Sequence, residues 1–450
     1  MTDLVVKNGT IVRSGAMLKA DVAVQDGKIV AIADSITEPA NQTIDAAGKL
    51  VFPGAVDCHA HLNDPGYTWR EDFEHGSAAA AVGGTTTIID MPLQNTPALT
   101  SAKIFADKEA AIKNRSFVDY AFWGGIFREN IEELNEMDAC GCPAFKVFTS
   151  PVGPDYQSLS MGLVRQALDA AKKFNGLIGF HCEDFSIIWE EEEKAKAEGR
   201  NTWKDFLLSR PVVAELIATR NILDLAKESG SRVHICHVSH PDVARVIKDA
   251  QGDGVNVTAE TCSHYLTFTE DDVIANGSLF KCAPPLRSAE AREKMWEYVL
   301  DGTLSCVGSD HSPARMNEKD GVFEAWGGIS GLQSLVEVMF DQGVNKRGFS
   351  PCVLASCLAE GPARTFGFYG QKGAVEVGFD ADLIVLDPGA AWTITSDSLE
   401  YLNKISAFVG LSGKGTVQTT IVRGTVVAQD KKIVGNPGHG NLLKKKTGKE

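Results

Sequence analysis

The chain has 450 residues, 44% of them hydrophobic and 23% charged, a balance expected of a globular enzyme with one large domain and one smaller one. Its formal net charge of −15 argues against a nucleic-acid partner, and no apolar run approaches the ~18 residues of a membrane span. The N-terminal segment lacks a basic stretch followed by an apolar one, and the ten cysteines form no Cys-x-x-Cys pair, so a reducing, cytoplasmic setting is expected.

The N-terminal segment alternates apolar and polar residues. Asp3–Lys7, the turn pair Asn8-Gly9, and Thr10–Arg13 predict one β-hairpin. Asp21–Gln25, Asp26-Gly27 and Lys28–Ile32 predict a second. The same grammar returns near the other end, in the strand Asp380–Leu386 and the hairpin Thr419–Arg423, Gly424, Thr425–Gln429. The terminal segments, 1–53 and 373–450, are therefore expected to pair into a small β-sandwich domain.

Between them, over residues 54–372, short apolar runs alternate with helical patterns such as Leu163–Lys173 and Pro211–Ser229. Strand-like runs fall near 55–61, 85–91, 118–126, 144–149, 177–182, 232–238, 255–262 and 304–310. Eight such units predict an α/β fold of the (β/α)8 TIM-like barrel kind, whose functional residues gather at the C-terminal ends of the strands.

Six residues obey that rule: His59, His61, Lys146, His181, His237 and Asp310. His59 and His61 are two apart, so in a strand they share a face. Imidazoles and a carboxylate are metal ligands, but a lysine inside a buried strand is costly unless its charge is removed or paired. Addition of CO2 to Lys146 would make a carbamate, N6-carboxylysine, an anion able to bridge two metal ions. The set therefore predicts a binuclear metal hydrolase. Asp310, in Gly308-Ser-Asp-His-Ser-Pro313, is also the candidate catalytic acid–base, taking a proton from water and giving it to a leaving nitrogen. His234 faces the other way from His237 and reads as structural. His264 and His311 stand beside site strands and could support the ligands. His75, His240 and His439 carry no assigned role. Cys58, Cys182, Cys236, Cys262 and Cys306 read as small core residues.

Pro53-Gly-Ala-Val-Asp-Cys-His-Ala-His61, Phe145-Lys146, His181-Cys-Glu183, His237-Val-Ser239 and Ser309-Asp-His-Ser-Pro313 resemble the amidohydrolase superfamily in its cyclic-amidase branch, over essentially the whole chain. The branch includes allantoinases, dihydropyrimidinases (hydantoinases) and dihydroorotases. Dihydroorotases carry an arginine after His-x-His-Leu, where this chain has Asn63. Dihydropyrimidinases carry a tyrosine shortly after the lysine, where this chain has Phe148-Thr-Ser-Pro151 and a first tyrosine at Tyr156. Asp90-Met-Pro-Leu93, Lys281-Cys-Ala-Pro-Pro-Leu-Arg287 and Trp326-Gly-Gly-Ile-Ser-Gly-Leu-Gln333 resemble allantoinases, with Gln94 where that group often has Asn.

The resemblance implies hydrolysis of a cyclic ureide, allantoin, to allantoate. It implies two divalent ions per chain, zinc foremost, with Co, Fe, Mn or Ni also suited to N/O ligands. His59, His61 and Asp310 would hold one ion, His181 and His237 the other, and carboxylated Lys146 would bridge them. Backbone groups near Cys282, Gly328 and Ile329, with Asn63, would contact substrate. The resemblance also implies a homotetramer. The alternatives are a dihydropyrimidinase-type hydrolase, a dihydroorotase, and a non-catalytic barrel scaffold, which a complete ligand set disfavours.

Overall fold

The computed structural model describes residues 2–153 and 156–445. Its centre is a ring of parallel strands: Ala55–Ala60, Thr85–Asp90, Asp119–Phe122 running on into Gly124–Gly125, Phe145–Phe148, Leu177–His181, Arg232–Ile235, Val257–Cys262 and Cys306–Gly308. Consecutive strands pair in parallel, and a bridge from Ala60 to His311 joins the last unit to the first. This is the expected (β/α)8 barrel. All these strands are buried, so each reads as an apolar run rather than a strict alternation.

Alternation still decides which way a side chain points. Phe145 and Val147 join the apolar layer between the barrel strands and the surrounding helices. Lys146, between them, takes the opposite face and enters the barrel mouth. The covering helices begin and end on ordinary signals. Phe73–Gly83 starts at Asp72, whose carboxylate accepts from the His75 N–H, and stops at Gly84 with φ of 92°.

Strands from both ends of the chain build the second unit. One sheet has the order Lys28–Ala33, Asp21–Gln25, Thr2–Lys7, Ala40–Asp45. The other runs Lys432–Ile433, Thr425–Gln429, Ser412–Val422, Leu383–Thr393, Leu50–Pro53, Thr10–Val12, Met17–Lys19. The second and third expected hairpins are present in register. The first is not a hairpin. Thr2–Lys7 pairs with Asp21–Gln25 and Ala40–Asp45, whereas Thr10–Val12 belongs to the other sheet. Asn8, at φ of 62°, turns the chain across the sandwich, its N–H donating to Asp21 and its side-chain amide to Asp45. A Cβ on Gly9 would come within 2.6 Å of Val51, so the crossing needs glycine there.

A buried lysine ties the two units together. Lys372 lies 2.5 Å from Asp119 on the third barrel strand, 2.7 Å from Asp382 and 3.0 Å from Asp380. Past Ile433 the chain returns to the barrel, where the Leu443 N–H donates to the Tyr120 carbonyl. No described helix is long and apolar enough to cross a membrane.

Candidate metal centre and its cavity

The barrel brings the six residues to one end. His59 lies in the first strand and His61 just beyond it; Lys146 is in the fourth strand; His181 ends the fifth. His237 and Asp310 lie two residues past the sixth and eighth strands. All six line one cavity of about 150 Å³. That is room for a small cyclic molecule.

Asp310 Oδ1 is 3.3 Å from His59 Nε2 and 3.3 Å from His61 Nε2. Ligand atoms of His59, His61 and Asp310 all lie within 4.8 Å of one another. The His237 ring is 4.6 Å from that of His181 and 5.3 Å from that of His59. His237 and Asp310 have φ of 37° and 43°, a left-handed backbone that costs non-glycine residues roughly 1–3 kcal/mol. Such strain persists where the surroundings hold it, and here it aims two donors inward.

Electrostatics favour the ligand forms. Burial lowers the imidazoles of His61 and His181, so they stay neutral. Burial, then the neighbouring Lys146, takes His237 well below its usual range. Burial alone would raise the Asp310 carboxyl, but His59 and His61 outweigh it and keep the carboxylate ionised. Neutral imidazole and carboxylate are the forms that bind metal.

Lys146 is the exception. It is fully buried, and its Nζ has no hydrogen-bond partner among the described residues. Its ammonium stands 5.1 Å from the Phe148 ring, a weak compensation. A buried ammonium without a partner costs several kcal/mol. A carbamate on the same nitrogen would instead set an anion beside the imidazoles that line the cavity. This orphaned nitrogen, with the donor set around it, fits a two-metal site.

Supporting carboxylates orient the rings. Glu260, on the seventh strand, hydrogen-bonds His59 Nδ1 and lies 3.2 Å from His234 Nε2. Burial would raise Glu260, but His59 and His234 hold it well below the usual carboxylate range. Glu183 is 2.8 Å from His181 Nε2 and 2.5 Å from Arg210. These contacts leave His59 Nε2 and His181 Nδ1 for metal. Asp57 accepts from the Ser309 and His59 N–H groups and so ties the eighth strand end to the first. Burial pushes its carboxyl up to about 7. His234 is structural, bonded to Thr258 and Glu260. His264 packs near Asp310 with both ring nitrogens unpartnered among the described residues, and burial pushes it down to about 4. His311 lies 3.4 Å from Glu71.

The suggested substrate contacts divide. Cys282 and Gly328 line the cavity. Asn63 and Ile329 are buried but do not line it. Asn63, at φ of 58°, turns its amide to the His61 carbonyl, and the Ile329 carbonyl accepts from Ser312. The Gly328 N–H is given to the Lys281 carbonyl, and its own carbonyl accepts from Lys319. Leu93, Gln94, Ser150, Pro151, Arg210, Ser312 and Trp326 complete much of the wall. Tyr156 turns away, donating its hydroxyl to the Lys146 carbonyl at 2.8 Å.

Known proteins resemble this chain over nearly its whole length. Residues 50–427 match the model of the amidohydrolase family. An allantoinase of Rubrobacter xylanophilus is 42% identical over 438 residues, covering 97% of this chain and 96% of its own. An allantoinase of Salmonella choleraesuis is 38% identical over 431 residues, covering 94% and 95%. The L-hydantoinase (dihydropyrimidinase) of Arthrobacter aurescens superposes with a TM-score of 0.96 at 36% identity, covering 99% of this chain and all of that one. Barrel, terminal sandwich and full-length relatives agree: the chain belongs to the amidohydrolase family.

Proposed function

We propose that this chain is a cyclic amidohydrolase that opens the hydantoin ring of allantoin to give allantoate. The observation that carries the hydrolase reading is Lys146, buried and unpartnered among four imidazoles and the carboxylate of Asp310. The allantoinases that match nearly the whole chain support the substrate.

His59, His61 and Asp310 would hold one divalent ion, His181 and His237 a second, with Lys146 as N6-carboxylysine between them. Zinc is the foremost candidate, since the donors are neutral nitrogens and anionic oxygens; Co, Fe, Mn or Ni also suit them. When bound, two such ions lower the pKa of water and polarise an amide carbonyl. Asp310 takes the proton of the attacking water. The ring C–N bond breaks, the carbonyl carbon becomes a carboxylate, and Asp310 gives the proton to the departing nitrogen. Glu260 and Glu183 keep the imidazoles oriented throughout.

The pocket supports allantoin over related rings. Position 63 carries no arginine for a carboxylate, and Nη1 of Arg210, on the cavity wall, is engaged by Glu183. The Tyr156 phenol is committed to the Lys146 backbone. A dihydropyrimidinase-type activity is the second reading, favoured by the superposition on the L-hydantoinase.

The same reading assigns residues 54–372 to the catalytic unit and 1–53 with 373–450 to the sandwich. A cytoplasmic setting is supported by ten free thiols, and contact between copies by apolar side chains left exposed, the stacked Phe185 and Trp189 among them; the homotetramer itself rests on the resemblance. Metal analysis with product identification tests the function. Two metal equivalents per chain and allantoate as product are expected; metal-independent turnover would contradict it.

A further inference from the structure

Two motifs of the sequence, the one beginning at Lys281 and the one beginning at Trp326, meet around a pair of buried lysines. Lys281 is 5% exposed and Lys319 6%. Among the described residues neither ammonium is paired with a carboxylate; each donates to three backbone carbonyls instead. Lys281 Nζ reaches Val322, Phe323 and Ala325 at 2.7, 2.8 and 2.7 Å. Lys319 Nζ reaches Ser278, Trp326 and Gly328 at 3.3, 3.0 and 2.6 Å.

The segment 322–328 has no helix or strand of its own. Its carbonyls therefore need other donors, because a buried backbone oxygen left unpaired is costly. An ammonium supplies three donors and no acceptor, so it can gather carbonyls as a second backbone cannot. Most of this segment's carbonyls turn to one of the two lysines. Its other ties are few: the Trp326 N–H donates to Glu318, and the Gly328 N–H to Lys281.

The end of the gathered segment is cavity wall; Lys319 holds it directly, and Lys281 holds the residues that lead into it. Trp326, Gly327 and Gly328 line the space above the metal ligands. Trp326 Nε1 donates to Ser312 Oγ at 3.3 Å, and the Arg70 guanidinium lies 3.9 Å over its ring. A Cβ on Gly328 would meet Ser312 at 2.5 Å, so the wall already stands as close as the backbone allows. None of these residues belongs to the ligand set, so the wall is free to meet a part of the substrate other than the reacting carbonyl.

We propose that Lys281 and Lys319 are positioning residues for substrate selection: their ammonium groups, each ringed by three backbone carbonyls, hold the 322–328 segment so that its end, Trp326 to Gly328, is the wall that contacts the substituent on the hydantoin-type ring. The selection rests on the ureide-hydrolase reading of the cavity; the clasp itself does not.

Lys281→Met and Lys319→Met keep side-chain length and remove the charge. Each breaks a separate ring of carbonyls, so either folded variant decides. Hydrogen exchange of the full, metal-loaded protein should show faster exchange confined to 320–330, with metal content unchanged. KM for allantoin should rise about tenfold or more while kcat falls less than about threefold, the pattern of lost binding rather than lost chemistry. The preference for allantoin over unsubstituted hydantoin should shrink, and Lys319→Arg, which keeps the charge, should recover part of it. Unchanged exchange in 320–330, or a fall in kcat at constant KM, would overturn the proposal. If the wild-type protein ignores allantoin but opens another substituted cyclic ureide, the substrate reading fails, and the exchange data with that ureide's KM decide the clasp.

Discussion

Glu260 hydrogen-bonds Nδ1 of His59, and the same imidazole presents Nε2 to Asp310 at 3.3 Å. One carboxylate thus aims the ring from beneath while the other faces it across the candidate metal position. The first is buried at the seventh strand and also serves His234.

Glu260→Gln should weaken metal retention. An amide can hold the ring less firmly and adds no negative charge, and loss of such a partner typically costs about 10- to 100-fold in affinity or activity. Chelator competition on the purified variant measures it; an unchanged affinity would show that His59 is oriented by packing alone.

Lys146→Ala should abolish activity, with partial recovery in the presence of acetate or other short carboxylates. The reasoning is that the side chain contributes bridging oxygens and not a cation. Turnover measured with and without acetate, alongside metal content, checks this. An alanine variant that keeps both metal ions and full activity would rule out the bridging role.

Asp310→Asn should retain some metal and lose most turnover. The amide still offers an oxygen but cannot accept the proton, and loss of an acid–base group costs about 10²- to 10⁴-fold. A drop in kcat smaller than about tenfold would move the proton transfer to another group.

Much of this centre was legible in the chain. A His-x-His pair, a lysine in an apolar run and an aspartate at a strand end stand out because burying such groups is costly without a purpose. Glu260 carried the same signal, a carboxylate inside Val257-Thr-Ala-Glu-Thr-Cys262, but with no partner visible in sequence it passed as strand. Arg210 and Gln94 come from loops, whose course no periodicity describes. The position of Asn63 after His61 predicts a contact, whereas its left-handed backbone turns it out of the cavity wall. The Asn8-Gly9 turn shows the same limit in the sandwich: alternation marks strands, but it does not say which strand is the partner.

Tyr156→Phe should leave KM for the ring substrate unchanged and lower stability. Its hydroxyl serves the Lys146 carbonyl at 2.8 Å, and because that carbonyl keeps the Ile126 N–H, loss of the one buried hydrogen bond costs about 0.5–1.5 kcal/mol. Denaturant unfolding gives the stability change and steady-state kinetics the KM. A raised KM with unchanged stability would return the phenol to the substrate and favour the dihydropyrimidinase reading.

The most direct test is kcat/KM of the metal-reconstituted protein for allantoin, dihydrouracil and dihydroorotate under one set of conditions. A pocket without a partner for one polar group discriminates by about 10²-fold, and a preference for allantoin of about that size is expected here. Equal or better turnover of dihydrouracil would contradict the allantoin assignment and place the chain with the dihydropyrimidinases.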